Sequence, residues 1–241
     1  SIDQPDMDGN TPLCAASALG HLDVVKFLLS NGARADHTAI DGTTPLDIAR
    51  RAGHTEIIQV LNKHKAMSSA HKVKAAAVAT RLLHNACRNG DLLLVQRLVD
   101  RGAEVNACDV DERTPLWIAS RQGHLNVVQF LLYKGASIDQ PEKNGATPLY
   151  IASGQGHLAV VQFLQSKGAS IDQPTKDGAT PLYIASGQGH LGVAKFLLSK
   201  GASIDQPSKN GATPLCAAST LGHLDVVEFL LSKGARIEQL S

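Results

Sequence analysis

Ten histidines are the residues of this chain best suited to metal binding or proton transfer. Six of them follow a glycine at one recurring position: His21, His54, His124, His157, His190 and His223. Neighbouring members of that set belong to successive helix pairs, and packed helices lie about 8–10 Å apart, too far to share one zinc ion. The other four (His37, His64, His71 and His84) have no carboxylate or cysteine at ligand spacing. The recurring histidines therefore predict bonds to neighbouring backbone at the start of a helix, and no metal site.

Two glycine-rich segments, 154–156 and 187–189, have the Gly-x-Gly pattern of a phosphate-binding loop. Neither follows a strand nor precedes a lysine motif, so both are interpreted as turns. Ser153 and Ser186 do not stand in the Gly-x-Ser-x-Gly motif of a nucleophilic serine. We therefore predict that the chain is not an enzyme and needs no cofactor.

The four cysteines form no C-x-x-C pair, and two of them, Cys14 and Cys216, occupy the same position of two repeated units. Duplication explains that placement, so the cysteines are expected to be reduced, in a reducing compartment. The expected location is the cytoplasm, with the nucleus as the alternative. Because the chain starts with Ser1, it is expected to be a piece of a longer protein.

Charge and hydropathy exclude two classes of partner. Lys and Arg number 23 and Asp and Glu 22, so no basic excess indicates nucleic-acid binding. The longest apolar runs are a few residues, which excludes membrane insertion, and no secretory signal is visible. A protein or peptide remains the expected partner.

A repeat organises the chain. Thr-Pro-Leu begins at Thr11, Thr44, Thr114, Thr147, Thr180 and Thr213, mostly 33 residues or a multiple of it apart. The missing member is 81–86, which keeps Leu-His-x-Ala without Thr-Pro. The units 147–179 and 180–212 differ at only six positions, which indicates duplication or design.

Each unit predicts two helices and a turn. In the unit starting at Thr180, the threonine is a good N-cap and Pro181 suits the first helical position. Gly189 ends the first helix, a second runs from Leu191 with apolar residues at helical spacing, and Gly201 stops it. An extended segment and a tight hairpin turn then lead to the next Thr. One such unit cannot bury its own apolar stripe, so the units must stack.

The 33-residue period, Thr-Pro-Leu-x-x-Ala, Gly-His-Leu-x-Val-Val and Gly-Ala-x-Ile-Asp together resemble the ankyrin repeat family. The resemblance implies an all-α solenoid of helix-turn-helix repeats with β-hairpin loops. It also implies protein partners held in a concave groove and at the hairpin tips. The departures are local, since only His84 keeps the family's usual His after the Thr-Pro-Leu position.

The array has a break. Thr44 and Arg81 are 37 residues apart, and Asn62-Lys63-His64-Lys65 replaces Leu-Ser-Lys-Gly. We predict two repeats ending in a cap-like helix in 1–65, an irregular junction or helical insert in 66–80, and five repeats in 81–241. Three arrangements stay open at this point: a continuous stack, a separate two-repeat lobe, or packing of 1–65 on the end of another molecule, which would be head-to-tail self-association.

Positions that line the family's groove predict the binding residues. They are Arg113, Trp117, Arg121, Gln122, Tyr150, Gln155, Tyr183, Gln188 and Leu221, with the hairpin residues Asn144, Ala146, Asp177, Ala179, Asn210 and Ala212 and the helix-end residue Thr220 beside them. Large aromatics and Arg are typical interface anchors, so Trp117 with its two arginines is the preferred hot spot. The alternative is that Trp117 and the tyrosines fill space between neighbouring first helices.

Two functions stay open: a scaffold that recognises a protein or peptide, and a structural spacer that assembles end to end. Separately, Leu98, Glu104, Val105 and Asn106 resemble the pattern around ankyrin asparagines that an iron- and oxoglutarate-dependent oxygenase hydroxylates. Asn106 is therefore a predicted modification site. The alternative role for this asparagine is to satisfy backbone groups of the hairpin.

Overall fold

The structure, a computed structural model, describes the backbone of residues 1–237 and the side chains of residues 1–67 and 76–237. The described part contains thirteen α-helices and no β-strand. It divides into two compact units, Ser1–Ala76 (unit 1) and Ala77–Ser241 (unit 2). The all-α repeat fold predicted from the sequence is confirmed.

The Thr-Pro-Leu motifs start the first helix of each repeat, as predicted. At Thr114 the hydroxyl accepts a hydrogen bond from the Trp117 backbone N–H at 3.1 Å, and Pro115 takes the first helical position. The threonine therefore satisfies one of the free N–H groups that every helix start exposes. The first helices are α1 (Pro12–Leu19), α3 (Pro45–Ala52), α6 (Pro115–Gln122), α8 (Pro148–Gly154), α10 (Pro181–Gly187) and α12 (Pro214–Thr220).

The second helices begin at the leucine after the recurring His position. They are α2 (Leu22–Ser30), α5 (Leu92–Asp100), α7 (Leu125–Tyr133), α9 (Leu158–Ser166), α11 (Leu191–Ser199) and α13 (Leu224–Ser232). Each is followed after one residue by a glycine in the left-handed region, such as Gly135 with φ 87°. Glycine has no Cβ and adopts that conformation at little cost, so it ends the helix there.

The remaining helix, α4 (Thr55–Asn89), is much longer than the others. Lys65 stands at the position that Gly135 holds in a later repeat, and lysine favours helix continuation. Residues 66–80, predicted to be an irregular junction or a helical insert, consequently lie inside α4. The first part of α4 belongs to unit 1 and the last part to unit 2.

Within each unit, first helices pack on first helices and second on second. In unit 1, α1 packs on α3, and Leu13, Val25 and Ile57 lie in one core cluster. In unit 2, α6, α8, α10 and α12 follow one another, and α5, α7, α9, α11 and α13 do the same. The core residues come from every repeat, because each helix pair buries its apolar residues against its neighbours.

Five of the six recurring histidines join neighbouring repeats. The Nε2 atom of His190 lies 3.1 Å from the Gly154 carbonyl oxygen, and that of His223 lies 2.9 Å from the Gly187 oxygen. A carbonyl only accepts, so Nε2 carries the proton and donates. His54, His124 and His157 make the same bond. The predicted backbone role of these histidines is confirmed.

The loops expected to be β-hairpins are tight turns without strand pairing in residues 1–237. One backbone bond closes each loop, for example Glu142 N–H to the Ala146 oxygen at 3.0 Å. A second joins neighbouring loops, as from Lys176 N–H to the Asn144 oxygen at 2.8 Å. Two isolated bonds do not make a ladder, which explains why no strand is present.

Replacing Gly156 by Ala should destabilise the chain more than replacing Gly168 by Ala. Both glycines have positive φ, which costs an alanine about 1–2 kcal/mol. A Cβ at Gly156 would also lie 2.6 Å from Nδ1 of His190, whereas at Gly168 it would meet nothing within 4 Å. Overpacking adds about 1–3 kcal/mol at Gly156 only. Urea denaturation followed by circular dichroism measures both variants, and equal losses would contradict the inter-repeat role of the histidine.

Candidate functional site

The N-caps place an aromatic residue in the first turn of three successive first helices. Tyr150 and Tyr183 donate their backbone N–H to Thr147 and Thr180, both at 3.1 Å, as Trp117 does to Thr114. The three aromatic side chains therefore hold equivalent places in three neighbouring repeats of unit 2. We call them the aromatic row (Trp117, Tyr150 and Tyr183).

Trp117 is buried, with 6% of its surface exposed. Its indole N–H donates to the Ala146 carbonyl oxygen at 3.0 Å, which ties α6 to the following loop. The guanidinium carbons of Arg113 and Arg121 lie 5.7 and 5.8 Å from the ring centroid. Trp117 therefore fills space between neighbouring repeats, the alternative left open above, and it positions two arginines at the surface.

Arg113 is held in place by two aspartates. Its Nε donates to Asp109 at 2.9 Å, and its Nη2 contacts Asp111. Burial alone would raise the pKa of Asp109, but hydrogen bonds from the backbone and side chain of Arg113 outweigh it and lower that pKa. At neutral pH the carboxylate stays charged, so Arg113 has a fixed orientation. Arg121, in contrast, is exposed at the end of α6.

Tyr150 and Tyr183 are half-buried. Burial, with a further contribution from the nearby Tyr183, Asp177 and Glu142, raises the pKa of the Tyr150 hydroxyl to about 12. Tyr150 is therefore neutral at physiological pH. A neutral hydroxyl can both donate and accept a hydrogen bond at the surface.

A polar row lies at the ends of the first helices in unit 2. Its members are all exposed: the polar residues are Arg121, Gln122, Gln155 and Gln188, and the apolar Leu221, 59% exposed, takes the equivalent place in the last repeat. Arg121 and Gln122 end α6, and one residue directly follows each of α8, α10 and α12, so the positions of Gln122, Gln155, Gln188 and Leu221 recur once per helix pair. Of the predicted binding residues, these five are therefore exposed, whereas Trp117 is buried and Arg113, Tyr150 and Tyr183 are half-buried.

The loop tips form a second exposed row. Glu142 is buried and its Oε1 accepts the backbone N–H groups of Asn144 and Ala146 at 2.9 and 3.3 Å, so the tip is closed from inside. Ala146 and Ala179, which were predicted to line the groove, are buried, so their side chains present little surface to a partner. The sequence analysis missed the exposed tip lysines, although their 33-residue spacing could have revealed them: Lys143, Lys176 and Lys209.

Asn106 connects two loops. Its Oδ1 accepts the Ser137 backbone N–H at 2.8 Å, and its Nδ2 donates to the Gly135 oxygen at 3.3 Å. Asp139 and Asp172 accept the equivalent N–H groups of Ser170 and Ser203. Asn106 thus has the backbone-satisfying role given as the alternative, while its residue surface is exposed. Its modification stays a prediction.

Nothing in the described residues gathers three or more His, Cys, Asp or Glu side chains into a metal-binding group. Among the helices of that same part, none has the length and apolar composition to cross a bilayer. The four cysteines are free thiols, and burial raises the pKa of Cys87 to about 12.

The sequence model for ankyrin repeats matches three segments of the chain, residues 1–72, 83–175 and 168–240. Together these segments cover nearly all of it. No curated protein matches the chain.

Replacing Trp117 by Phe should destabilise unit 2 by about 2–4 kcal/mol, because it leaves a cavity and an unpaired Ala146 oxygen. Tyr183→Phe, which removes only a hydroxyl from a half-buried ring, should cost less than about 1 kcal/mol. Denaturation followed by circular dichroism checks both, since Trp117 is the chain's one tryptophan. An unchanged midpoint for Trp117→Phe would contradict the space-filling role.

Proposed function

The chain belongs to the ankyrin repeat family, and on that premise we propose that it is a non-catalytic scaffold for a protein or peptide partner. Ankyrin repeats are generally protein–protein interaction modules. The partner would lie across the polar row and the loop tips of unit 2. Between the polar row and the loop tips, the partner would contact the exposed edges of Tyr150 and Tyr183.

The observation that carries this proposal is that fixed side chains, Trp117 and Arg113, lie beside the exposed polar row. Trp117 is bonded through its indole and Arg113 through two carboxylates, so neither side chain must be ordered on binding. Interfaces lose affinity when flexible side chains are immobilised, at about 0.5–1.5 kcal/mol each. A preorganised surface with arginine and aromatic groups therefore suits recognition.

A second candidate is an assembly element that associates end to end. The segments 12–30 and 214–232 differ at only two positions, Ala18/Thr220 and Lys26/Glu228. Val226 in α13 is fully buried, and α13 packs on α11. Its counterpart Val24 in α2 is 47% exposed, and Phe27 beside it is 66% exposed. The same apolar surface is thus covered in one repeat and open in the other, where a repeat of a second copy could pack.

The scaffold is tested by placing negative charges along the polar row. The triple variant Arg121→Glu, Gln155→Glu and Gln188→Glu should retain at least about tenfold less partner in a quantitative pull-down from the native cell, a loss of about 1.4 kcal/mol or more. The physical reason is that acidic groups replace hydrogen-bond donors at the contact.

The matched control makes the same charge change at one equivalent exposed position of α7, α9 and α11: Gln129→Glu, Gln162→Glu and Lys195→Glu. It should capture the same proteins as the unaltered chain. Equal capture by both triple variants would contradict groove binding. Light scattering on the same samples would favour the second candidate if the mass rises with concentration.

On the resemblance named above, we also propose that Asn106 is β-hydroxylated. Mass spectrometry of the chain from its native cell should then show one added oxygen atom on the peptide that contains Asn106, and none on the peptide that contains Asn144. An unmodified Asn106 peptide would leave this residue with its loop-bonding role alone.

A further inference from the structure

Three lysines of unit 2 occupy the same place in three successive loop tips, and all three are exposed: Lys143, Lys176 and Lys209. We call them the tip lysines. Backbone bonds hold these tips side by side, since Lys176 N–H donates to the Asn144 oxygen and Lys209 N–H to the Asp177 oxygen, both at 2.8 Å. The tip lysines therefore form a row that recurs once per repeat, on backbone that the neighbouring loops fix.

The tip lysines differ from the other lysines of unit 2 in what surrounds the charged nitrogen. The other five have Nζ over a phenylalanine ring, 5.4 to 5.8 Å from its centroid: Lys134, Lys167, Lys195, Lys200 and Lys233. Within residues 77–237, no such ring and no carboxylate pairs with Nζ of a tip lysine. The three charges of the row are therefore available to a molecule from outside the chain.

The acidic side chains of the same tips offer little competition. Glu142 is buried, and its carboxylate accepts the N–H groups of Asn144 and Ala146, as described above. In the next tip the neutral Thr175 takes that place. Asp177 is the one exposed acidic residue of these three tips. Three exposed positive charges against one negative charge favour an acidic partner.

The spacing of the row indicates the conformation of that partner. Packed helices lie about 8–10 Å apart, so tips on successive helix pairs recur at about the same distance. Polyproline II has three residues per turn and a rise of about 3.1 Å, so every third side chain lies on one face, about 9.3 Å apart. The spacing on one face is about 6.8 Å for every second residue of a β-strand and about 10.5 Å for every seventh residue of an α-helix. Of the three, the polyproline II spacing alone lies within the range of the row.

The tip before Lys143 limits the row at one end. Val110 holds the equivalent place there, and its side chain is 92% exposed. The Lys143 N–H donates to the Asp111 oxygen at 3.0 Å, which joins this tip to the row. Glu112 in the same tip is exposed and would repel a carboxylate. A partner segment that continues past Lys143 would therefore place an apolar residue against Val110.

We propose that the tip lysines bind an acidic segment of the partner protein in the polyproline II conformation. The segment has a carboxylate at every third residue and an apolar residue one step beyond the last. This inference rests on the proposed function for the existence of a protein partner, and it names the chemistry that the loop tips select. Each exposed ion pair contributes a factor of only about 1.4–5 in affinity, so the segment alone binds weakly and adds to the contacts of the polar row.

The proposal is tested with two peptides of identical composition and charge. The spaced peptide is Leu-Pro-Pro-Glu-Pro-Pro-Glu-Pro-Pro-Glu-Pro-Pro-Leu, in which either direction brings a leucine next to Val110. The comparison peptide has the three glutamates consecutive at its centre, where they point to different faces. Each is titrated into the ¹⁵N-labelled full chain at about 0.1 M ionic strength, where charges more than about 10 Å apart are largely screened. The spaced peptide should shift the backbone amides of the tip lysines and bind at least about threefold more tightly.

Two triple variants then locate the contact. Removal of the row should weaken binding of the spaced peptide by about tenfold: Lys143→Gln, Lys176→Gln and Lys209→Gln. The matched control removes the same charge from lysines that lie over phenylalanine rings and should change the affinity by less than about twofold: Lys167→Gln, Lys200→Gln and Lys233→Gln. The single variant Asp177→Asn should strengthen binding, because it removes the exposed carboxylate of the row. Circular dichroism checks that each variant is folded.

Four results would overturn the proposal. They are no shift of the tip amides up to about 5 mM peptide, equal binding of the two peptides, equal weakening by the two triple variants, and tighter binding of an oligothymidine to the same amides. The last result would identify the row as a site for nucleic-acid phosphates. If any of these is found while the variant of Arg121, Gln155 and Gln188 still loses its partner, the acidic segment is wrong and the scaffold function stands.

Discussion

The burial of apolar side chains between neighbouring helix pairs is the constraint on which this fold depends. Leu116, Leu149 and Leu182 are fully buried, yet each belongs to a helix of only two turns. Fully burying such a side chain contributes about 1.5–3 kcal/mol, and an isolated pair has too few partners to do so. Neighbouring pairs supply the missing surface, so each junction between repeats must be well packed.

Polar bonds keep those junctions in register. Five histidines at the starts of second helices donate to a carbonyl of the preceding repeat. An Asp or Asn in most loops accepts an N–H from the next loop, as Asp172 does from Ser203. Apolar packing alone is not directional, whereas these bonds have defined partners. The two together explain why nearly identical repeats stack in one way.

The same regularity separates support from recognition. Trp117 is bonded and buried, and it supports Arg113 and Arg121 from below, whereas the exposed polar residues recur at the helix ends without being needed for packing. Such exposed residues can change with little effect on stability. In the proposed scaffold, the polar row would therefore select the partner, while the aromatic residues would hold the row in place.

The sequence by itself determined the repeat and the helix boundaries of the regular units, because caps, glycines and apolar spacing are local signals with one structural solution. It also placed Gln122, Gln155 and Gln188 at one surface, since a 33-residue period puts equivalent positions side by side. Only the tertiary structure decided that Trp117 is buried, that Asn106 bonds to the next loop, and that α4 continues without a break from Thr55 to Asn89. Burial depends on which segments meet across many residues, and no local pattern at Trp117 or Lys65 records what packs against it.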